Sequence, residues 1–110
     1  IDVQASSANL AQTIQLARDN NIRVVLTGML MPPNYGDDYR LKFESMYKKL
    51  KQTYGLDFIP FLLEGVAGNK DLNQADGIHP NEAGHRVMAE NVLKVLVPII
   101  NEEQKKRGSK

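Results

Sequence analysis

The sequence predicts an α/β protein built around a parallel β-sheet. Helical and strand-like segments alternate along the 110 residues in the order helix, strand, helix, strand, helix. The segment at residues 22–29 stays apolar after its arginine and does not alternate, which is typical of a parallel strand covered by helices on both faces. Two parallel strands do not form a stable sheet by themselves, so we expect residues 1–110 to be the C-terminal portion of one larger domain.

The composition excludes several kinds of function. Apolar residues make up 42% of the chain and charged residues 25%, as in ordinary globular proteins, and the net charge is +1. This charge, without interleaved aromatic and basic residues, argues against a nucleic-acid partner. The absence of cysteine excludes disulfides, thiolate metal ligands and a cysteine nucleophile. No apolar run approaches the roughly 20 residues of a transmembrane segment, and because the chain starts at Ile1 we expect further residues upstream.

The first helix and the first strand precede a loop that contains two prolines. Ser6 or Ser7 is expected to cap a helix that ends near Asn20. One face of this helix carries the apolar residues Leu10, Ile14 and Ala17. The strand at residues 22–29 follows. Residues 30–36 must then form a loop, because two prolines and an Asn-Tyr-Gly sequence interrupt any ladder or helix.

The second helix has the clearest pattern in the sequence. We expect Asp37 or Asp38 to cap it and Tyr54 to lie at its end, with Gly55 in the left-handed position that follows many helices. A stripe at helical spacing contains Tyr39, Phe43, Met46, Tyr47, Leu50 and Tyr54. We interpret this stripe as core and the lysines beside it as a solvated face.

A second strand and a last helix complete the chain. The strand is expected at residues 56–61, and one helical turn at residues 62–66 follows it. Asn81 is expected to cap the last helix, and Pro98 to kink it or to end it early. The apolar positions of this helix are Val87, Met88, Val92, Val95, Leu96 and Ile99. Residues 102–110 are predicted to form a charged, frayed tail.

The loop before the last helix carries the main candidate for chemistry. Asp76 precedes His79 by three residues in the sequence Asp-Gly-Ile-His-Pro-Asn. In this turn the Asp76 carboxylate can reach back to Nδ1 of His79 and leave Nε2 free to face a serine. In a serine hydrolase the histidine takes the proton of the nucleophile, while the carboxylate fixes the ring tautomer and stabilises the imidazolium. By itself, the motif also fits a polar helix-capping turn.

Several segments of the chain form one recognisable signature. Met-Pro-Pro-Asn-Tyr-Gly occupies residues 31–36, and Pro-Phe-Leu-Leu-Glu-Gly-Val occupies residues 60–66. Gln-Ala-Asp-Gly-Ile-His-Pro-Asn occupies residues 74–81. Together these segments resemble the SGNH (GDSL-type) hydrolase superfamily, most closely its branch of bacterial acyl-CoA thioesterase I, arylesterase and lysophospholipase. The resemblance extends from about residue 7 to residue 100.

The resemblance implies a fold, an activity and a set of site residues. It implies a three-layer flavodoxin-like fold without metal or organic cofactor, of which this chain holds the C-terminal part with two strands and about three main helices. It implies hydrolysis of a small acyl ester or thioester through a serine acyl-enzyme. His79 would be the general base and then the general acid, and Asp76 its orienting partner. Met31, Pro32 and Pro33 would help to line the substrate groove. A periplasmic or secreted location is suggested by the resemblance alone.

Two parts of the family signature are absent from this chain. The nucleophile of the family belongs to an N-terminal Gly-Asp-Ser block, and here Gly36-Asp37 is followed by Asp38. The Gly-x-Asn-Asp block that contributes to the oxyanion hole is missing as well. The serines of the chain are Ser6, Ser7, Ser45 and Ser109, and none has the sequence context of a nucleophile elbow. We therefore expect the catalytic serine to lie outside this sequence.

Metal sites are the first alternative to this interpretation. A calcium loop could be proposed from Asp71, Asn73, Asp76 and Glu82. That loop lacks the oxygen ligand and the glycine required at its fifth and sixth positions. A metal pair of His79 and His85 is similarly weak, because His85 is expected to pack or to cap within the last helix.

The second alternative is a non-catalytic fragment or association module. Such a chain would be inactive alone, because it lacks both the nucleophile and the oxyanion hole. The exposed edge of the strand at residues 22–29 could bind a companion N-terminal piece or support self-association.

Overall fold

The structure is a computed structural model and describes residues 2–30 and 36–108. Its main elements are α1 (Val3–Asp19), β1 (Val25–Thr27), α2 (Asp37–Tyr54), β2 (Asp57–Ile59) and α3 (Glu82–Gly108), with a short 3₁₀ helix at Lys70–Leu72 before α3. The chain divides into two compact units, Ile1–Phe61 and Leu62–Lys110, which we call the N-terminal unit and the C-terminal unit. Within the described ranges no helix is both long and apolar enough to cross a membrane.

The first helix begins earlier than predicted. It starts at Val3, where the Asp2 side chain caps it by accepting a hydrogen bond from the Gln4 amide at 3.1 Å. The prediction that Ser6 or Ser7 caps the helix is therefore wrong. An aspartate caps as well as a serine does, and the intervening residues are compatible with a helix. The end of the helix is as predicted, with Asn20 as its C-cap.

The two strands and α2 form a parallel βαβ unit. The paired residues are Val25 with Asp57, Leu26 with Phe58 and Thr27 with Ile59. Both strands are shorter than predicted, because the ladder exists only where β1 and β2 pair with each other. Leu26 is buried whereas its two neighbours in β1 are half-buried, so β1 is not equally covered on its two faces.

The core of the N-terminal unit joins α1, α2 and β1. Its buried apolar cluster consists of Ile14, Leu26, Met46, Leu50 and Leu56. Most of the predicted stripe of α2 faces this cluster, since Met46 and Leu50 belong to it and three aromatic residues of the stripe pack against it, Phe43, Tyr47 and Tyr54. The Arg18 guanidinium links α1 to the end of α2: it donates to the Tyr54 carbonyl oxygen and lies 5.6 Å from the centre of the Tyr54 ring.

The two ends of α2 differ in how well they agree with the prediction. Its N-cap is Gly36, and no side chain makes a capping hydrogen bond there, so the prediction that Asp37 or Asp38 caps the helix is wrong. Both aspartates lie in the first turn, where negative charge stabilises the helix dipole. At the other end Gly55 has φ 60° and its amide donates to the Lys51 carbonyl oxygen, which confirms the predicted left-handed glycine.

The C-terminal unit contains one long helix and the turns that precede it. A hydrogen-bonded turn forms where the Val66 amide donates to the Leu63 carbonyl oxygen at 2.9 Å. The helix α3 continues through Pro98 to Gly108, so both the early end and the frayed tail from residue 102 are wrong for the described residues. Pro98 lies on an exposed face, where water can satisfy the carbonyl that its missing N–H leaves without a partner.

Candidate active site

The loop at residues 74–79 in the C-terminal unit closes on its own backbone. The Gln74 amide donates to the His79 carbonyl oxygen at 2.8 Å, and the Gly77 amide donates to the Gln74 carbonyl oxygen at 2.9 Å. Gly77 has φ 72°, a conformation that glycine adopts without steric cost. Asn73 and Pro80 form an antiparallel bridge on either side of the loop. The two ends of this short loop are therefore adjacent.

Asp76 and His79 are in direct contact within this loop. Oδ2 of Asp76 lies 2.6 Å from Nδ1 of His79, the contact that their spacing predicts. Oδ1 of Asp76 accepts hydrogen bonds from the amides of Ile78 at 2.9 Å and His79 at 3.1 Å. Since an ionised carboxylate only accepts hydrogen bonds, Nδ1 carries the ring proton and Nε2 of a neutral ring is an acceptor.

The imidazole of His79 is largely exposed to solvent. Its side chain is 71% exposed, compared with 43% for Asp76. Nε2 of His79 makes no hydrogen bond with any residue that the structure describes. The ring is therefore held on one nitrogen and available to a reacting group on the other.

The hydrogen bonds to Asp76 also determine its charge. The hydrogen bond with the His79 side chain, followed by the hydrogen bonds from the Ile78 and His79 amides, lowers the pKa of Asp76 from 3.8 to about 2. The carboxylate is thus ionised across the neutral range. This arrangement can fix the tautomer of the imidazole and stabilise the imidazolium after the ring accepts a proton.

Asn81 fixes the C-terminal side of the loop and caps α3. Its side-chain oxygen accepts from the Gly84 amide at 2.9 Å, which confirms the predicted cap. Its side-chain nitrogen donates to the Asp71 carbonyl oxygen at 2.9 Å and to the Asn73 carbonyl oxygen at 3.3 Å. Its own amide donates to the Leu72 carbonyl oxygen at 3.0 Å. The loop and the start of α3 are thereby tied to the 3₁₀ helix.

Two further asparagines in the C-terminal unit are structural anchors that the sequence does not indicate. Asn73 is 9% exposed, and its side-chain nitrogen donates to the carbonyl oxygens of Val66 at 2.8 Å and Asn69 at 2.7 Å. Asn91 donates in the same way to the carbonyl oxygens of Leu62 and Glu64, at 3.0 and 2.9 Å. In the sequence, Asn73 and Asn91 are recognisable only as amide side chains next to turn-forming or apolar residues. That pattern does not show which backbone carbonyls they bind.

The remaining candidate residues have different outcomes. Met31, Pro32 and Pro33, predicted to line the groove, lie outside the described residues, and their role stays a prediction. His85 is exposed on α3, so the expectation that it packs or caps is wrong. Its amide simply continues the helix by donating to the Asn81 carbonyl oxygen at 2.9 Å.

The described serines have helical backbones. Ser6 and Ser7 lie within α1 and Ser45 lies within α2, where the chain has none of the sharp turn that exposes a nucleophile between strand and helix. Ser7 and Ser45 line an open groove of about 700 Å³ in the N-terminal unit, together with Lys42 and Lys49. Neither Asp76 nor His79 lines that groove, so it lacks the acid–base pair.

A metal centre has no support in the side chains that the structure describes. Across residues 2–30 and 36–108, no group of three or more histidines or carboxylates is arranged to hold a metal ion. Three residues of the proposed calcium loop have other partners: Asn73 donates to backbone carbonyls, Asp76 contacts His79, and Glu82 accepts a hydrogen bond from Arg86.

Comparison with known proteins gives consistent matches. A family model described as the GDSL-like lipase/acylhydrolase family matches residues 1–87. Esterase TesA of Pseudomonas aeruginosa is 40% identical over 92 residues, which cover 84% of this chain and 46% of that protein. An Escherichia coli protein named as a thioesterase, protease and lysophospholipase is 31% identical over 100 residues, 91% of this chain and 48% of that protein. The crystal structure of TesA superposes with a TM-score of 0.81 at 38% identity, covering 89% of this chain and 54% of that one.

These matches define the class and then the family. A parallel βαβ unit together with a paired carboxylate and imidazole is typical of serine hydrolases built on an α/β fold. The chain belongs to the GDSL-like lipase/acylhydrolase family, which confirms the resemblance to SGNH hydrolases and their α/β fold. The chain spans about half the length of the curated relatives it matches.

Proposed function

We propose that this chain supplies the histidine–carboxylate pair of an enzyme that hydrolyses carboxylic esters or thioesters through a serine acyl-enzyme. The observation that carries the proposal is the 2.6 Å contact between Asp76 and Nδ1 of His79, in an imidazole side chain that is 71% exposed. Relatives named as an esterase and as a thioesterase support both classes of substrate. Because the sequence contains no Gly-Asp-Ser block, the serine would come from outside it.

In the proposed reaction His79 moves every proton. Its Nε2 takes the serine hydroxyl proton while the serine oxygen bonds to the carbonyl carbon of the substrate. The tetrahedral intermediate then collapses to the acyl-enzyme, and Nε2 gives the proton to the leaving alcohol or thiol. A water molecule attacks the acyl-enzyme while the same nitrogen takes its proton and returns it to the serine. Asp76 holds the Nδ1–H group and stabilises the imidazolium in both halves.

The rest of the site would come from a companion N-terminal portion. In the relatives, the matched region covers 46% and 48% of the protein, which leaves room for a nucleophile and an oxyanion hole elsewhere. Such a portion would extend the sheet beside β1, which pairs only with β2 among the described residues. Met31, Pro32 and Pro33 would line the acyl groove. A periplasmic or secreted location would follow the resemblance, and fractionation of cells that express the whole protein would test it.

The test is to supply an N-terminal portion from a relative and to measure ester hydrolysis. The N-terminal half of the Pseudomonas esterase, fused upstream of this chain, should hydrolyse a short p-nitrophenyl ester. His79→Ala should lower kcat by on the order of 10⁶-fold, and Asp76→Asn by about 10⁴-fold through the wrong tautomer. A serine-directed phosphonate should add mass to the fused half only. The 110-residue chain alone should show no turnover above a buffer blank.

Two matched variants control for general damage to the C-terminal unit. His85→Ala removes the other histidine, which is exposed on α3, and Asp71→Asn removes an exposed carboxylate of the 3₁₀ helix. Both should retain at least about a third of the activity. Full activity of the fusion after His79→Ala would contradict the proposal. A phosphonate adduct on the 110-residue chain would place the nucleophile within it and contradict the external serine.

A further inference from the structure

Asn73 is the residue at which three parts of the C-terminal unit meet. Its side-chain nitrogen donates to Val66 and Asn69 in the preceding turn, at 2.8 and 2.7 Å. Its backbone forms the antiparallel bridge with Pro80, and its carbonyl oxygen accepts from Asn81. It is also the only buried polar residue in the described part of the chain.

We infer that Asn73 is a positioning residue, whose buried amide fixes the start of the 74–79 loop and thereby the contact between Asp76 and His79. The loop begins at the next residue, where the Gln74 amide closes it onto the His79 carbonyl oxygen at 2.8 Å. A shift of Asn73 therefore moves one end of that closing hydrogen bond. Its consequence for hydrolysis rests on the proposed function, whereas its effect on the geometry of the loop does not.

The chemistry of the side chain explains why an asparagine is suited to this position. The two hydrogen bonds need two N–H donors on one short side chain, which asparagine has and aspartate, serine and alanine do not. The carbonyl groups of Val66 and Asn69 also accept backbone hydrogen bonds, from Asn69 and Leu72. The Asn73 side chain thus gives each of these two carbonyls a second hydrogen bond. In this way it attaches the loop to turns that backbone hydrogen bonds already form. Its loss should loosen the loop before it unfolds the turns.

The experiment measures the contact directly in the 110-residue chain. NMR titration of the Asp76 carboxyl carbon gives its pKa, and the ring nitrogen shifts of His79 report which nitrogen carries the proton. In the original chain the pKa of Asp76 should be about 2, with the Nδ1–H tautomer predominant. In Asn73→Ala the pKa of Asp76 should rise towards its ordinary value of 3.8, and the tautomers should become mixed. Asn73→Ser, which keeps one donor, should fall between the two.

Asn91→Ala is the matched control. Asn91 also donates from one side-chain nitrogen to two backbone carbonyls of the C-terminal unit, but it holds the turn at residues 62–64. Its replacement should lower Tm about as much as Asn73→Ala does, while the pKa of Asp76 and the tautomer of His79 stay as in the original chain. If both alanine variants leave these two readouts unchanged, Asn73 is only a structural residue and the inference is overturned. It is overturned as well if Asn73→Ala and Asn73→Ser do not fold at all, since Asn73 would then be needed by the whole unit.

The fused enzyme described above adds a catalytic readout. Asn73→Ala should lower kcat by on the order of 10²-fold with little change in KM, because the base is misplaced while substrate binding is retained. Asn91→Ala should change kcat by less than about threefold. An inactive fusion would count against the proposed function alone, since the NMR measurement would still decide the inference about Asn73.

Discussion

The two units of the chain are stabilised by different kinds of contact. Among the described residues, the N-terminal unit contains six of the buried apolar residues, Ile14, Leu26, Met46, Leu50, Leu56 and Ile59. The C-terminal unit contains two, Val66 and Ile99, together with the buried Asn73. Its turns and its loop are joined instead by the side-chain amides of Asn73, Asn81 and Asn91, which bind backbone carbonyls.

The two kinds of contact suit different structural requirements, a stable scaffold in the N-terminal unit and a loop of fixed geometry in the C-terminal unit. Apolar burial is strong and non-directional, so it stabilises a βαβ unit without fixing any one atom closely. Amide hydrogen bonds contribute less free energy each but are directional, which suits a loop that must hold a carboxylate 2.6 Å from an imidazole. We therefore expect the N-terminal unit to respond mainly to lost volume and the C-terminal unit mainly to lost hydrogen bonds and disturbed geometry.

The largest effect is expected from a cavity in the N-terminal core. Leu50 is 5% exposed within the apolar cluster, and Leu50→Ala should lower the free energy of unfolding by about 3 kcal/mol. Leu41 lies on the same helix and is 57% exposed, so Leu41→Ala should change the free energy of unfolding by less than about 0.5 kcal/mol. Urea unfolding of both variants measures the difference. Equal effects would show that the core of this unit is not packed as described.

A smaller effect is expected from a close approach in the C-terminal unit. At Gly84 an added Cβ would overlap the carbonyl oxygen of Leu72 and lie 3.0 Å from Cβ of Pro80. Gly84→Ala should therefore destabilise the chain by about 2 kcal/mol, although alanine favours a helix. Gly108→Ala, at the other end of α3, meets nothing within 4 Å and should be neutral or slightly stabilising. Hydrogen exchange should show that the amides at residues 69–84 are less protected in Gly84→Ala than in the original chain. A stable, protected Gly84→Ala variant would contradict the packing of α3 on the 3₁₀ helix.

Acid should act on the C-terminal unit through Asp76. Its pKa is lowered from 3.8 to about 2 in the folded chain, so its contribution to stability is complete above pH 3.8 and is lost as the pH falls to about 2. Asp76→Asn should remove this part of the pH dependence while leaving the remainder. Thermal unfolding at a series of pH values between about 5 and about 2 compares the two chains. If Tm depends on pH in the same way in both chains, the Asp76 carboxylate has no favourable partner in the folded state.

Alkali should act on the N-terminal unit through Tyr47, with the smallest of these effects. Burial raises the pKa of Tyr47 above its ordinary value of 10.0. Its contribution is therefore complete below pH 10.0 and is lost as the pH rises through the higher pKa of the folded state. Tyr47→Phe should unfold less readily than the original chain above pH 10.0. An absorbance titration that finds an ordinary pKa for Tyr47 would contradict its burial beside the core.

Local patterns in the sequence identify much of this arrangement. The stripe of α2, the left-handed Gly55 and the cap by Asn81 each depend on residues within a few positions of one another, and each is present in the structure. The contact of Asp76 with His79 is local for the same reason, since only two residues separate them. The catalytic roles of these two residues stay predictions, as does the groove at residues 31–33.

Features that depend on distant partners or on competing signals escape prediction. Asn91 binds carbonyls 27 and 29 residues away, and no periodicity in the sequence reports such a contact. The start of α1 is ambiguous in the sequence because Asp2, Ser6 and Ser7 are all acceptable caps, and only the folded chain shows which one is used. The early end considered at Pro98 does not occur, because the cost of a proline depends on whether water can reach the carbonyl it leaves unpaired.

The self-closed loop has a consequence for how such a site can be inherited. Asp76 and His79 lie on one short segment, and the side-chain hydrogen bonds of Asp76, His79, Asn73 and Asn81 described above all join residues within 66–84. Under the proposed function, a gene divided upstream of this segment would yield one product with the whole acid–base pair and another with the nucleophile. Recombination could pass the pair to a new host as a single module. Under the same proposal, residues 66–84 are the segment to transplant when building an esterase on another α/β scaffold.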